Sequence, residues 1–88
     1  MDSSNINIRF GKLIATKRKE LGISQEELGF RCGVHRTYVG AIERGEKSPT
    51  LTTIEKLSEG LNISIANLWE ALKTDRGRNG KDMAVTKP

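Results

Sequence analysis

The triplet Arg36-Thr37-Tyr38 is the part of this 88-residue chain best equipped to do chemistry. Arg36 carries a fork of donors that matches the O6 and N7 acceptors on the major-groove edge of guanine. Thr37 adds a hydroxyl and a methyl, suited to a base edge or to the thymine methyl. A cation in the first turn of a helix is poorly placed, because the helix dipole already makes that end positive. The misfit favours an anionic or acceptor-rich partner outside the chain. Tyr38 divides evenly between a phosphate contact through its hydroxyl and packing of its ring. His35 fits a helix cap first and a phosphate contact second.

Such a triplet needs a scaffold, and the stretch from Ser24 to Gly45 supplies one. Ser24-Gln25-Glu26-Glu27 reads as a capping box that opens a helix ending near Cys32. Gly33 can take the positive φ of a turn. A second short helix then starts at His35 or Arg36, runs to about Arg44 and stops at Gly45. Leu28, Cys32, Val34, Val39 and Ile42 can point inward, and Gly29 falls where the two helices would cross. Two short helices with a tight turn between them, the second presented outward, make a helix-turn-helix. Gln25 joins a side-chain donor to the amide-rich positive end of its helix, a natural phosphate site. Gly40 costs a helix about 1 kcal/mol relative to alanine. Either it lets the helix backbone lie close to DNA or it is merely tolerated, and Ala41 is small for the same reason. Cys32 reads as a small core hydrophobe.

The flanking segments are helical too. Ile6, Phe10, Leu13, Ile14 and Leu21 mark an apolar stripe on a first helix, capped by Asn5 or Asn7 and stopped at Gly22. A fourth helix follows Pro49, capped by a threonine, with Leu51, Ile54, Leu57, Ser58 and Leu61 inward and Asn62 as its terminator. Ser64 caps a fifth, from Ile65 to about Lys73. Ile63, Ile65, Leu68, Trp69 and Leu72 exceed what one short terminal helix needs for the monomer core, and predict a dimer seam there; the alternative is that Leu68 and Leu72 close the core and Trp69 covers its edge. The expected fold is an all-α, compact five-helix bundle over residues 1–73. Residues 74–88 form a basic, flexible tail.

Charge and composition narrow the function. Residues 1–72 carry ten Lys/Arg against nine Asp/Glu, so most of the +4 net charge lies in the tail. Any DNA contact by the body must use a local patch. With one cysteine and one histidine, neither a disulfide nor a Cys- or His-based metal cluster can form, and no cofactor is implied. No apolar run is long enough to span a bilayer, and a reducing cytoplasm is the expected setting. There is no nucleophile beside a base and no phosphate-cradling glycine loop, so an enzyme is not expected. Nor is a small-molecule ligand evident.

Taken together, Ser24-Gln25-Glu26-Glu27-Leu28-Gly29, Gly33-Val34, Arg36-Thr37-Tyr38, Ile42-Glu43-Arg44-Gly45 and Ser48-Pro49-Thr50-Leu51 resemble the phage-repressor (Cro/C1, XRE-type) helix-turn-helix family. Within it they are most like the controller proteins of restriction–modification systems. The resemblance covers residues 6–72. It implies a lambda-repressor-like bundle that binds a near-palindromic double-stranded operator as a homodimer, with RNA polymerase as a further partner. It also implies base reading by Arg36 and Thr37, with Gly40 and Ala41 on the same exposed face. Backbone contacts would come from Ser24, Gln25, His35, Tyr38, Arg44, Lys47 and Ser48. Arg18 and Glu43 would form a buried salt bridge. His35 stands where these proteins often carry Asp, and Gly40-Ala41 where Ser-Gly is common. Related domains also serve as antitoxins or adaptors, so a protein-interaction module is the rival reading.

Overall fold

The structure, a computed structural model, describes residues 5–77. The part of the expected tail from residue 78 onward lies outside the described residues. Five helices follow one another: α1 (Ile6–Glu20), α2 (Gln25–Cys32), α3 (Arg36–Glu43), α4 (Leu51–Gly60) and α5 (Ile65–Gly77). The described residues contain no strand, and the all-α, five-helix architecture is the one expected.

Side-chain caps start the helices. Asn5 Oδ1 accepts from the Asn7 amide at 2.7 Å, Thr50 Oγ1 from Thr53 at 3.1 Å and Ser64 Oγ from Asn67 at 3.0 Å. Each satisfies an amide that has no partner inside its helix. Ser24 Oγ does the same for the Glu27 amide at 2.9 Å. The reciprocal half of the capping box is replaced, because the Glu27 carboxylate turns down the helix to Arg31 Nε, 3.1 Å away. Asn62 ends α4 with φ of 58°, the left-handed terminator its position predicts.

The core gathers Phe10 and Ile14 of α1, Leu28 and Cys32 of α2, Val39 and Ile42 of α3, Leu57 of α4 with Leu61 just after it, and Leu68 and Leu72 of α5. Cys32 fills the place of a small hydrophobe. Its thiol donates to the Lys56 carbonyl at 3.3 Å, and burial pushes its pKa up.

Several expectations need correction. Ile6 and Leu21, at the two ends of the α1 stripe, are about half exposed. Leu51 is 85% exposed rather than inward. It opens α4, and a first-turn side chain points back past the helix N-terminus, away from the packed middle. The last helix continues beyond Lys73 to Gly77, a residue that favours a helix less than any other but proline. Leu68 and Leu72 are only 2% and 3% exposed. One turn apart on α5, they close the core of their own subunit and are not free for a dimer seam. Ile63 also packs against the core. Of the five predicted interface residues, Ile65 and Trp69 are left facing solvent.

Candidate nucleic-acid interface

Helix α3 is held on three sides. Val39 and Ile42 are fully buried and anchor its inner face. At its C-terminal end, Arg18 of α1 grips Glu43 with two hydrogen bonds, Nε to Oε2 at 2.7 Å and Nη2 to Oε1 at 3.1 Å. The third guanidinium nitrogen donates to the Ile23 carbonyl at 2.9 Å. The pair is nearly buried, with side chains 12% and 7% exposed. The hydrogen bonds to Glu43 raise the Arg18 pKa despite its desolvation. This is the buried salt bridge that the resemblance implies.

Gly11 makes the approach of α1 to α3 possible. A methyl group on it would collide with the Ile42 carbonyl and lie 2.7 Å from that of Glu43. Nothing in the apolar periodicity marks this glycine, because a helix crossing leaves no period. Gly29 works differently from its predicted role at a helix crossing. A methyl there would sit 2.6 Å from the Val34 carbonyl, so the missing side chain lets the turn fold back onto α2.

At the other end of α3, His35 is the cap. Its Nδ1 accepts from the Thr37 amide at 3.1 Å and lies 2.9 Å from the Thr37 hydroxyl. Accepting at Nδ1 puts the proton of the neutral ring on Nε2, which remains a donor. Arg36 and Thr37 are both exposed, and among the described residues the Arg36 guanidinium has no hydrogen-bond or ion-pair partner. Tyr38 is half-buried with its ring against the core, which favours packing of the two roles left open.

The outer face of α3 differs from the expected one in its second turn. Gly40 and Ala41 are buried, not exposed. Gly40 is covered by the ends of two long side chains. A methyl there would stand 3.1 Å from Arg44 Nη1 and 3.3 Å from Gln25 Oε1. Gln25 is itself tied inward, its Nε2 donating to Glu43 Oε1 at 2.9 Å. Arg44 is exposed but paired: Nε and Nη2 donate to the two Glu46 oxygens at 2.8 and 3.1 Å. These bonds raise the Arg44 pKa and hold the Glu46 carboxyl below its ordinary range. Ser24, Lys47 and Ser48 are exposed. The surface thus offers a guanidinium with no partner among the described residues and a threonine at the tip of a rigid helix, flanked by amide-rich helix starts, and a second guanidinium already neutralised by a neighbour.

Residues 14–68 match the helix-turn-helix family. The control protein C.BamHI of Bacillus amyloliquefaciens is 39% identical over 69 residues, covering 77% of this chain and 85% of that one. The solved restriction–modification controller protein C.AhdI of Aeromonas hydrophila is 39% identical and superposes with a TM-score of 0.69, over 70% of this chain and 94% of that one. A second controller, C.Esp1396I, solved as a tetramer with its natural 35-base-pair operator, is 28% identical with a TM-score of 0.76, over 80% and 92%.

Proposed function

Because the chain belongs to the helix-turn-helix family, we propose that it is a sequence-specific, double-stranded-DNA-binding transcriptional regulator that acts as a dimer. The observation that carries the reading is the state of Arg36. Its guanidinium is exposed and unpartnered among the described residues on a helix whose other faces are locked. Placed in the major groove, α3 would present Arg36 and Thr37 to base edges. The start of α2 at Ser24 and Gln25, and the loop at Lys47 and Ser48, would meet the phosphates on either side. His35 would contribute its Nε2 donor to a phosphate. The bundle supplies the rigidity that makes a few contacts specific, which matters in a body with so little net charge.

Two subunits joined through Ile65 and Trp69 would read half-sites about 34–36 Å apart, one turn of the duplex. The likeness to controller proteins favours a regulator of that kind, acting in the cytoplasm, where an operator and RNA polymerase are both present. Selection of binding sites from random duplexes with the purified protein tests the proposal. The expected product is a near-palindrome with half-sites one turn apart. Recovery of unenriched sequence would sink it, and so would binding that requires a co-purifying protein partner.

A further inference from the structure

His35 is the only histidine of the chain, and its ring bonds to both polar groups of Thr37, the amide and the hydroxyl. Resting on the DNA-binding reading above, we infer that His35 is a specificity-determining residue that acts through Thr37: its ring sets whether the Thr37 hydroxyl offers DNA a lone pair or a proton, and acid reverses the setting.

Both contacts run to one ring atom. Nδ1 accepts from the Thr37 amide at 3.1 Å and stands 2.9 Å from Thr37 Oγ1. A bare Nδ1 can only accept, so the hydroxyl proton turns inward to it. The hydroxyl then shows the groove lone pairs alone. These match the amino groups of adenine N6 and cytosine N4, and not guanine O6 or thymine O4. A second proton taken up from solvent goes to Nδ1, because Nε2 already holds one. Nδ1 then donates to Oγ1, and the hydroxyl proton swings out to the groove, where it suits guanine or thymine. The Thr37 amide gives up its acceptor and turns to water, at a residue that is exposed. Nε2 carries a proton in both states, so a phosphate there is compatible with either. The charged groups of α2 and α3, the helices on either side of the ring, leave it alone. Glu27 pairs with Arg31, Glu43 with Arg18, and Arg44 with Glu46. Glu26 and Arg36 are exposed, and among the described residues only Thr37 bonds to the ring. Histidine is the side chain that ordinarily changes charge between pH 5 and 8. Carboxylates ordinarily titrate lower, and burial pushes the Cys32 thiol higher. Acidification from pH 8 to 5.5 therefore addresses one side chain among the described residues.

The test is selection of binding sites from random duplexes at pH 8 and at pH 5.5, at one ionic strength, with wild type, His35→Asp and Thr37→Val. The base met by Thr37 is the one at which Thr37→Val, which has no hydroxyl, loses discrimination. At pH 8 wild type should prefer adenine or cytosine there. At pH 5.5 the preference should swing toward guanine or thymine, by about three- to tenfold in relative affinity, the worth of one hydrogen bond. An aspartate in this range accepts and cannot donate. His35→Asp should therefore keep the pH 8 preference at both values, whatever its added negative charge costs in affinity. A wild-type preference that does not move with pH would overturn the inference. So would one that moves at every position of the half-site, which would mean that the start of α3 has come loose. Thr37→Val that still responds to pH would overturn it as well. The ring is also read without DNA. Nitrogen-15 NMR of the free wild-type protein at pH 8 should show a bare Nδ1 and a protonated Nε2, and the reverse tautomer would overturn the inference even if His35→Asp did not fold. Failure of wild type to enrich any sequence at either pH would instead remove the DNA-binding reading, and this inference with it.

Discussion

Arg18 and Glu43 stand 25 residues apart in the chain and meet through two hydrogen bonds, at 2.7 and 3.1 Å. The pair ties the last turn of the bundle's first helix to the last residue of α3, and Gln25 adds a third bond to the same carboxylate. Glu43→Ala leaves the Arg18 charge nearly buried without its partner, which typically costs about 3–5 kcal/mol. A chain of this size has little stability to spare. The expected result is a protein that is largely unfolded, or that melts far below wild type, by circular dichroism. A melt within a degree or two of wild type would show that the pair does not hold α3.

Gly11→Ala should be destructive for a different reason. The added methyl has only backbone to press against, the carbonyls of Ile42 and Glu43, and backbone cannot rotate away. Separating α1 from α3 should cost about 1–3 kcal/mol or more. At roughly 4–8 °C per kcal/mol for a domain this small, the drop in melting temperature is easily measured. An unchanged melt would mean that the two helices have room to part.

The sequence revealed the starts of the helices far better than the faces between them. A cap is a local event: Ser24, His35 and Thr50 each bind an amide two or three residues away, so residue type alone exposes it. The second turn of α3 is a non-local event. Gly40 is buried by Gln25, fifteen residues earlier on another helix, and by Arg44, and no periodicity encodes where long side chains come to rest. The same holds for α5. Its apolar surplus was plain, but only the packing decides that Leu68 and Leu72 go to the core while Trp69, 53% exposed, does not.

Arg36→Ala should separate reading from folding. The side chain is exposed and has no hydrogen-bond or ion-pair partner among the described residues, so the melt should stay within about 0.5 kcal/mol of wild type. Operator affinity should fall by about 1–3 kcal/mol, and repeated site selection should return relaxed preference at one position per half-site. A uniform loss on all duplexes would instead make Arg36 a phosphate contact.

Glu46→Gln should act in the opposite direction. Glu46 neutralises Arg44 through two hydrogen bonds and adds a negative charge beside the proposed phosphate path. Its removal should tighten binding to all sequences alike and steepen the salt dependence. Acidification should not imitate it. Arg44 holds the Glu46 pKa below its ordinary value, which is about 4.3 for a free glutamate. The favourable pairing is therefore complete above that ordinary value, and is lost only as pH falls through the lowered one. Between about pH 5.5 and 8 the ratio of variant to wild-type affinity should stay constant; a ratio that shrinks toward pH 5.5 would mean that Glu46 is already being protonated there.

Trp69 and Leu68 are neighbours on α5 with opposite exposure, and that contrast tests the dimer. Leu68 is 2% exposed, and Leu68→Ala should cost about 2–5 kcal/mol of folding stability whatever the oligomeric state. Trp69 and Ile65 are about half exposed in the single chain, so their removal takes little from the monomer core. If they form the seam between subunits, Trp69→Ala should weaken dimerisation on the order of 10- to 30-fold, the range expected for a buried aromatic anchor. Sedimentation would then show folded monomers at concentrations where wild type is dimeric. Operator binding at concentrations where the variant is monomeric should fall in step with dimerisation, because two linked half-sites act as one high-affinity site only while the subunits stay joined. A Trp69→Ala protein that remains dimeric would move the seam elsewhere, with the exposed Phe30 and Leu51 as the next surfaces to substitute.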